Sequence, residues 1–270
     1  MAYIKTGQER DLIIEGGLKL GSILDAIVPM VAAGVSTRDV DATAERLILK
    51  EGGRPAFKGY RAGKHDPKFP STICACINDE IVHGFPLQQK VLQEGDIFTI
   101  DIGMQWPVNS GLGEKGNGFF TDTAITLPVG AISDKAAELI AVTKQALDVG
   151  IQAITVGGTI ADIGAAIEHF VSPRGYGIVR DLVGHGVGHA VHEEPPVPNY
   201  HEPSLRSYVI EPGVVIAIEP MITVGGFAVR VDDDQWTIRT ADGSLAAHFE
   251  HTIVVTDNGA VVATRRPSET

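Results

Sequence analysis

Cysteine is almost missing from this chain. Its 270 residues include only Cys74 and Cys76, which stand two apart and are poorly placed to bridge each other. No disulfide framework is available, and a reducing cytoplasm is the expected compartment. Basic residues are scarce too: 22 Lys and Arg stand against 34 Asp and Glu, a formal charge of −12. That balance argues against direct reading of nucleic acid through its phosphate backbone, because self-repulsion would have to be overcome first. It is compatible with divalent cations. No apolar run approaches the roughly eighteen residues that span a bilayer. Residues 1–20 carry Lys5, Glu9, Arg10, Asp11, Glu15 and Lys19 where a secretory signal needs an apolar stretch. No membrane association is therefore expected. Low-complexity tracts and linkers are absent as well. What is present is an ordinary globular composition, 44% hydrophobic and 21% charged, in a length that fits one large domain or two small ones.

The texture of the sequence is helices followed by strands, twice. Over residues 8–31 the apolar side chains Leu12, Ile13, Leu18, Leu20, Ile23, Leu24 and Ile27 recur at helical spacing. Ser36 and Thr37 offer an N-cap to a second helix, striped by Val40, Ala44, Leu47 and Ile48 and stopped by Gly52-Gly53. From Ile73 to about Leu127 short β-rich runs take over. After Pro128 the order returns. Ser133 caps a helix to about Ile154, Thr159 and Asp162 form a capping box for a helix to about Val171, and strands dominate from Tyr176 to Ala263. The fold class this predicts is α+β. Residues 91–101 align with 209–219, each a glycine turn, a strand and a terminal acid, Asp101 or Glu219. Phe120-Thr-Asp122 likewise matches His248-Phe-Glu250. A duplicated unit of this kind can bring four carboxylates together at the interface of its halves.

A single carboxylate at a strand end usually points to water. Four that converge in a partly buried place repel one another and cannot all stay charged without cations. Two divalent ions match four negative charges, and oxygen donors with an imidazole suit Mn, Fe, Co or Zn without choosing among them. Candidate imidazoles crowd into Gly184-His185-Gly-Val-Gly188-His189-Ala-Val-His192. A zinc-protease helix is excluded there by the glycines and by Gly186, which stands where that motif requires Glu. In an extended segment His185 and His189 share one pleat face, and periodicity does not decide which histidine binds. Gly111-Leu-Gly113-Glu-Lys-Gly116 matches a dinucleotide-binding pattern in letters only. No buried strand precedes it and no helix start follows, so it reads as an exposed loop.

Asn78-Asp-Glu-Ile-Val-His83-Gly, Thr99-Ile-Asp101, Thr121-Asp122-Thr, Gly184-His185-Gly with His192-Glu-Glu-Pro, Ile218-Glu219-Pro-Met and Phe249-Glu250-His-Thr resemble the type I methionine aminopeptidases, in that family's order and over nearly the whole chain. The resemblance implies the pita-bread fold, two pseudo-symmetric halves of helices and mostly antiparallel strands around a dinuclear metal site. It implies one catalytic domain over 1–270, with repeats at about 8–128 and 132–256. By the same resemblance Asp101 chelates one ion, Asp122 and Glu250 bridge two, and His185 with Glu219 completes the second. The activity implied is removal of N-terminal methionine from nascent proteins and peptides, by a bridging hydroxide activated between two divalent ions. Glu219 corresponds to the residue that passes a proton to the leaving amine. His83 and His192 match histidines that contact the substrate amide and assist proton transfer. Phe57, Tyr60, Phe69, Cys74 and Trp236 match walls of the methionine pocket, with Cys74 as lining rather than a reactive thiol. A monomer is the family default, and a transient ribosome contact is left open.

The chain departs from that family in two inserted loops, at about 61–68 and 103–120, both flanking the expected site; loop length is thermodynamically cheap and often functional. His189 also replaces a residue that is basic in many relatives. A proline-directed peptidase on the same fold is the nearest rival, but such enzymes usually carry a further N-terminal domain. A non-catalytic binding module on this fold is disfavoured because all five ligand positions are filled.

Overall fold

The computed structural model describes residues 4–61, 63–64 and 66–269. Four helices form where the sequence supplies caps. Thr6 opens α1 (Gly7–Ile27): the Glu9 N–H donates to its hydroxyl, and its own N–H donates to the Glu9 carboxylate at 2.7 Å. Pro29 lies in the short 3-10 turn Val28–Met30, so the helix ends at Ile27, the last residue of its apolar stripe, rather than at 31. Ser36 caps α2 (Thr37–Lys50), and Ser133 caps α3 (Asp134–Gln152) by accepting the Ala136 N–H at 3.2 Å. Thr159 and Asp162 form the reciprocal box that opens α4 (Ile160–Val171).

These helices cover one face of an antiparallel nine-stranded sheet. Leu20, Leu24, Ile27, Val40 and Ile48 pack on Phe98, Ile100 and Ile102 beneath α1 and α2, and Leu139, Ile163 and Ile167 pack on Ile216, Ile218 and Ile253 beneath α3 and α4. Each such fully buried side chain stabilises the fold by about 1.5–3 kcal/mol relative to exposure. Because strand residues alternate faces, seating Phe98, Ile100 and Ile102 against the helices sends Asp101 to the opposite face. The C-terminal segment lies directly along α1. A Cβ on Gly17 would fall 2.6 Å from the Ala263 carbonyl oxygen, and one on Gly21 2.7 Å from that of Arg265, so this approach requires glycine at both positions.

The two halves repeat their backbone hydrogen bonds. Gly34 N–H donates to Leu92 O and Gly157 N–H to Ile210 O, both at 2.8 Å; Thr37 N–H reaches Lys90 O at 2.9 Å and Ile160 N–H reaches Tyr208 O at 3.0 Å. Gly95 and Gly213 both take positive φ, at 92° and 101°, and donate to Val129 O and Val255 O. The halves meet at the centre of the sheet, where Phe119–Pro128 pairs with Glu250–Thr256 in the register Ala124↔Glu250 and Thr123↔His251.

Both expected insertions project from this frame. Gly59 N–H donates to Phe69 O at 2.8 Å and Phe69 N–H to Tyr60 O at 2.9 Å, so segment 61–68 is closed at its base; Ala62 and His65 within it lie outside the described residues. The second is partly sheet: Ile97–Trp106 and Phe119–Pro128 extend as a hairpin, and only 107–118 forms the irregular tip. There Gly111 N–H bonds to Gly116 O at 3.0 Å and Gly118 N–H to Leu112 O at 2.7 Å. The glycine-rich pattern is a folded loop, as expected.

Candidate active site

Asp101 on Ile97–Trp106 and Asp122 on Phe119–Pro128 occupy neighbouring strands in the register Gly103↔Asp122 and Asp101↔Ala124, which puts both on the same face. Glu250 opens the next strand opposite Ala124. Glu219 follows Val215–Ile218, whose Ile218 pairs with His251, and His185 is the middle residue of Gly184–Gly186. Ligand-type atoms of Asp122, His185 and Glu250 lie within 4.8 Å of one another. His185 Nε2 is 3.5 Å from Asp122 Oδ2 and 3.6 Å from Glu219 Oε1. Asp101, Asp122 and Glu250 are only 8%, 3% and 3% exposed.

This crowding governs their charge. Burial, then the Asp122 charge, pushes the Asp101 carboxyl up to about 8, and burial lifts Asp122 to about 6. Burial and the neighbouring acids raise Glu219 and Glu250 well above the ordinary carboxylate range. Burial holds His185 down to about 4, so its imidazole is neutral and has a lone pair to give. Asp101 Oδ1 is buried with no hydrogen-bond partner among the described residues. Clustered acids that resist ionisation, an orphaned carboxylate oxygen and a neutral imidazole are the donor set of a divalent-metal site. The residues fit that group.

The acids form the floor of a cavity of about 380 Å³, and all twelve residues singled out in the sequence line it. His83 projects into it from a backbone at φ 61°, a left-handed conformation that costs a non-glycine residue about 1–2 kcal/mol. Its ring stands edge-on to Trp236 at 5.8 Å, and Trp236 packs on Phe69 at 5.3 Å. Phe57 lies over Gly103, where a Cβ would come within 2.7 Å of its ring. Burial, reinforced by the Asp101 charge, raises the Cys74 thiol well above its ordinary range, which keeps it protonated and unreactive. The three crowded histidines separate. His185 faces the acids, His189 turns away to Glu9 at 2.8 Å, and His192 stands at the mouth with Nδ1 2.8 Å from the Tyr60 hydroxyl and its ring 4.4 Å from that of His185. Burial of its inner face, then the His185 ring, hold His192 down to about 4.

Residues 12–257 match metallopeptidase family M24. The chain belongs to that family. It is similar to the methionine aminopeptidase of Clostridium acetobutylicum, with 40% identity over 98% of this chain and 99% of the other. The crystal structure of methionine aminopeptidase from Thermotoga maritima superposes with a TM-score of 0.88, at 35% identity, over 97% of this chain and 99% of that one. The prolidase of Pyrococcus horikoshii shares the fold at a TM-score of 0.74 and 22% identity; it covers 98% of this chain, which spans only 64% of it. The pita-bread fold is thereby shown, and this M24 member is a hydrolase of the methionine aminopeptidase group.

Several contacts that support this cluster were not legible in the sequence. The Asp122 N–H donates to Thr252 Oγ1 at 3.0 Å, and the Thr252 hydroxyl lies 2.9 Å from both Asp122 O and Oδ1. Asn199 Nδ2 donates to Glu219 O at 3.0 Å. Lys5 pairs with Glu193 beside His192. His248 Nε2 lies 3.5 Å from Glu219 Oε2. Thr252 had one available signal, its place two residues beyond Glu250 on the same strand; Asn199 and Lys5 had none, because their partners are remote in sequence.

Proposed function

We propose that the chain removes methionine from the N-terminus of proteins and peptides, acting as one catalytic domain over 1–270 built from the repeats 8–128 and 132–256. The observation that carries this reading is the convergence of Asp101 and Asp122 from one half with His185, Glu219 and Glu250 from the other, at the floor of a cavity walled by Phe57, Tyr60, Phe69, Cys74 and Trp236. These walls leave an apolar space that suits an unbranched thioether side chain.

Asp101 would hold one divalent ion, Asp122 and Glu250 would be shared, and His185 with Glu219 would hold a second. Such ions, when bound, supply the acidity that deprotonates a water near neutral pH and polarises the scissile carbonyl. The protein's own groups do the rest. Glu219, ionised when it holds an ion, takes the proton that water releases and passes it to the leaving amine. His83 and His192, both held down to about 4, stay neutral at pH 7 and offer N–H donors to the substrate amide. Tyr60 fixes the His192 ring.

The test is residue release from Met-Ala-x and Ala-Pro-x peptides with Mn, Fe or Co added to metal-depleted protein. Cleavage of Met-Ala-x alone is expected. Cleavage of Ala-Pro-x would favour the proline-directed relatives, and silence with every metal would favour a binding module. His192→Ala is expected to lower turnover with metal still bound.

A further inference from the structure

His248 ends the strand Ala246–His248, which pairs with Met221–Thr223 through Met221↔His248. Its backbone is fully accounted for: the N–H donates to Thr126 Oγ1 at 2.8 Å, and the Thr126 hydroxyl donates back to its carbonyl at 2.9 Å. Its ring is not. The side chain is 2% exposed, yet neither Nδ1 nor Nε2 has a hydrogen-bond partner among the described residues. A buried polar group left in that state is costly, so a nearby acceptor calls for explanation.

That acceptor is Glu219. Its carboxylate is bracketed by two imidazoles, with Oε1 3.6 Å from His185 Nε2 and Oε2 3.5 Å from His248 Nε2. A neutral imidazole carries one N–H, and 3.5 Å is the outer edge of hydrogen-bond reach. His248 does not line the cavity, so substrate does not touch it. We propose that His248 is a positioning residue: its Nε2–H donates to Glu219 Oε2 and so directs Oε1 toward His185 and the cavity floor. Outer groups that orient a ligand in this way commonly tune metal affinity as strongly as they tune turnover. The inference rests on the metallopeptidase reading above.

The test compares His248→Gln, which keeps an N–H donor, with His248→Leu and His248→Phe, which do not. Metal-depleted proteins are titrated with Mn²⁺ by calorimetry, their unfolding midpoints are recorded without metal, and kcat and KM for a Met-Ala peptide are measured at saturating Mn²⁺. His248→Leu and His248→Phe are expected to bind Mn²⁺ roughly 10- to 100-fold more weakly. Whichever of them folds should keep its metal-free unfolding midpoint, with kcat lowered and KM unchanged. His248→Gln should recover most of the affinity. Wild-type Mn²⁺ affinity in a donor-free variant, or loss in His248→Gln as large as in His248→Leu, would overturn the role. A wild-type protein that takes up no Mn²⁺ would instead defeat the metallopeptidase reading on which it rests.

Discussion

Asp101 and Glu250 are buried carboxyls that favour their protons in the metal-free protein, so replacing either with a neutral side chain removes no ion pair. Asp101→Asn and Glu250→Ala are therefore expected to abolish turnover and metal loading while leaving the unfolding midpoint unchanged or raised. Metal analysis alongside calorimetry checks both, and retained turnover in either variant would contradict the assignment. Thr252 behaves differently. Thr252→Val keeps the shape but leaves the buried Asp122 N–H and Oδ1 without their partner, a loss of about 1–3 kcal/mol that denaturant unfolding would register. The acids were legible in the sequence because acid aligned with acid across the repeat. His185 was narrowed by its glycine neighbours but not singled out from His189 until the family resemblance was brought in. Asn199 and His248 were not legible, because their contacts with Glu219 join segments remote in sequence that no local pattern encodes, and Thr252 had only its spacing from Glu250.

At the level of elements, capping chemistry located α2, α3 and α4, and apolar periodicity located α1. Two helix ends fell short of the expected ranges: α1 stops at Ile27, before the Pro29 turn, rather than at 31, and α3 stops at Gln152 rather than at about 154. The histidine segment was harder to place, since its shape depends on partners far away in sequence. Gly188 O accepts the Phe120 N–H at 2.8 Å, Glu9 holds His189, and the buried Lys5 ammonium holds Glu193. The N-terminal stretch thus grips the segment on both sides of His192. Lys5→Met is expected to free that grip, speeding hydrogen exchange over 188–193 and lowering kcat without loss of metal. Unchanged exchange there would show that the ion pair does not restrain the loop.

For the whole molecule, the decisive contact is the central pairing of Phe119–Pro128 with Glu250–Thr256, which places acids from both halves in one site. The helix–strand repetition was legible because it is written in composition as well as in position; the outward course of the inserted segments was not, because loops lack a period. The site also sets a pH dependence. Asp101 and Asp122 hold their protons up to about 8 and about 6 when folded, against about 3.9 when unfolded. His83, His185 and His192, held down to about 4, act in the opposite sense up to about 6.5; above that the raised carboxyls act alone and the folded state binds more protons, so metal-free stability falls as pH rises from about 6.5 to 8. Unfolding midpoints at pH 6.5 and pH 8 should show this, and added divalent metal should raise stability most at pH 8, where the acids can ionise to bind it. No described helix is long and apolar enough to cross a membrane.

The most direct test of the central claim is an anomalous-scattering measurement on crystals grown with Mn²⁺. The account predicts two peaks, one within coordination distance of Asp101, the other of His185 and Glu219, and both of Asp122 and Glu250. Peaks elsewhere, or none between the two halves, would contradict it.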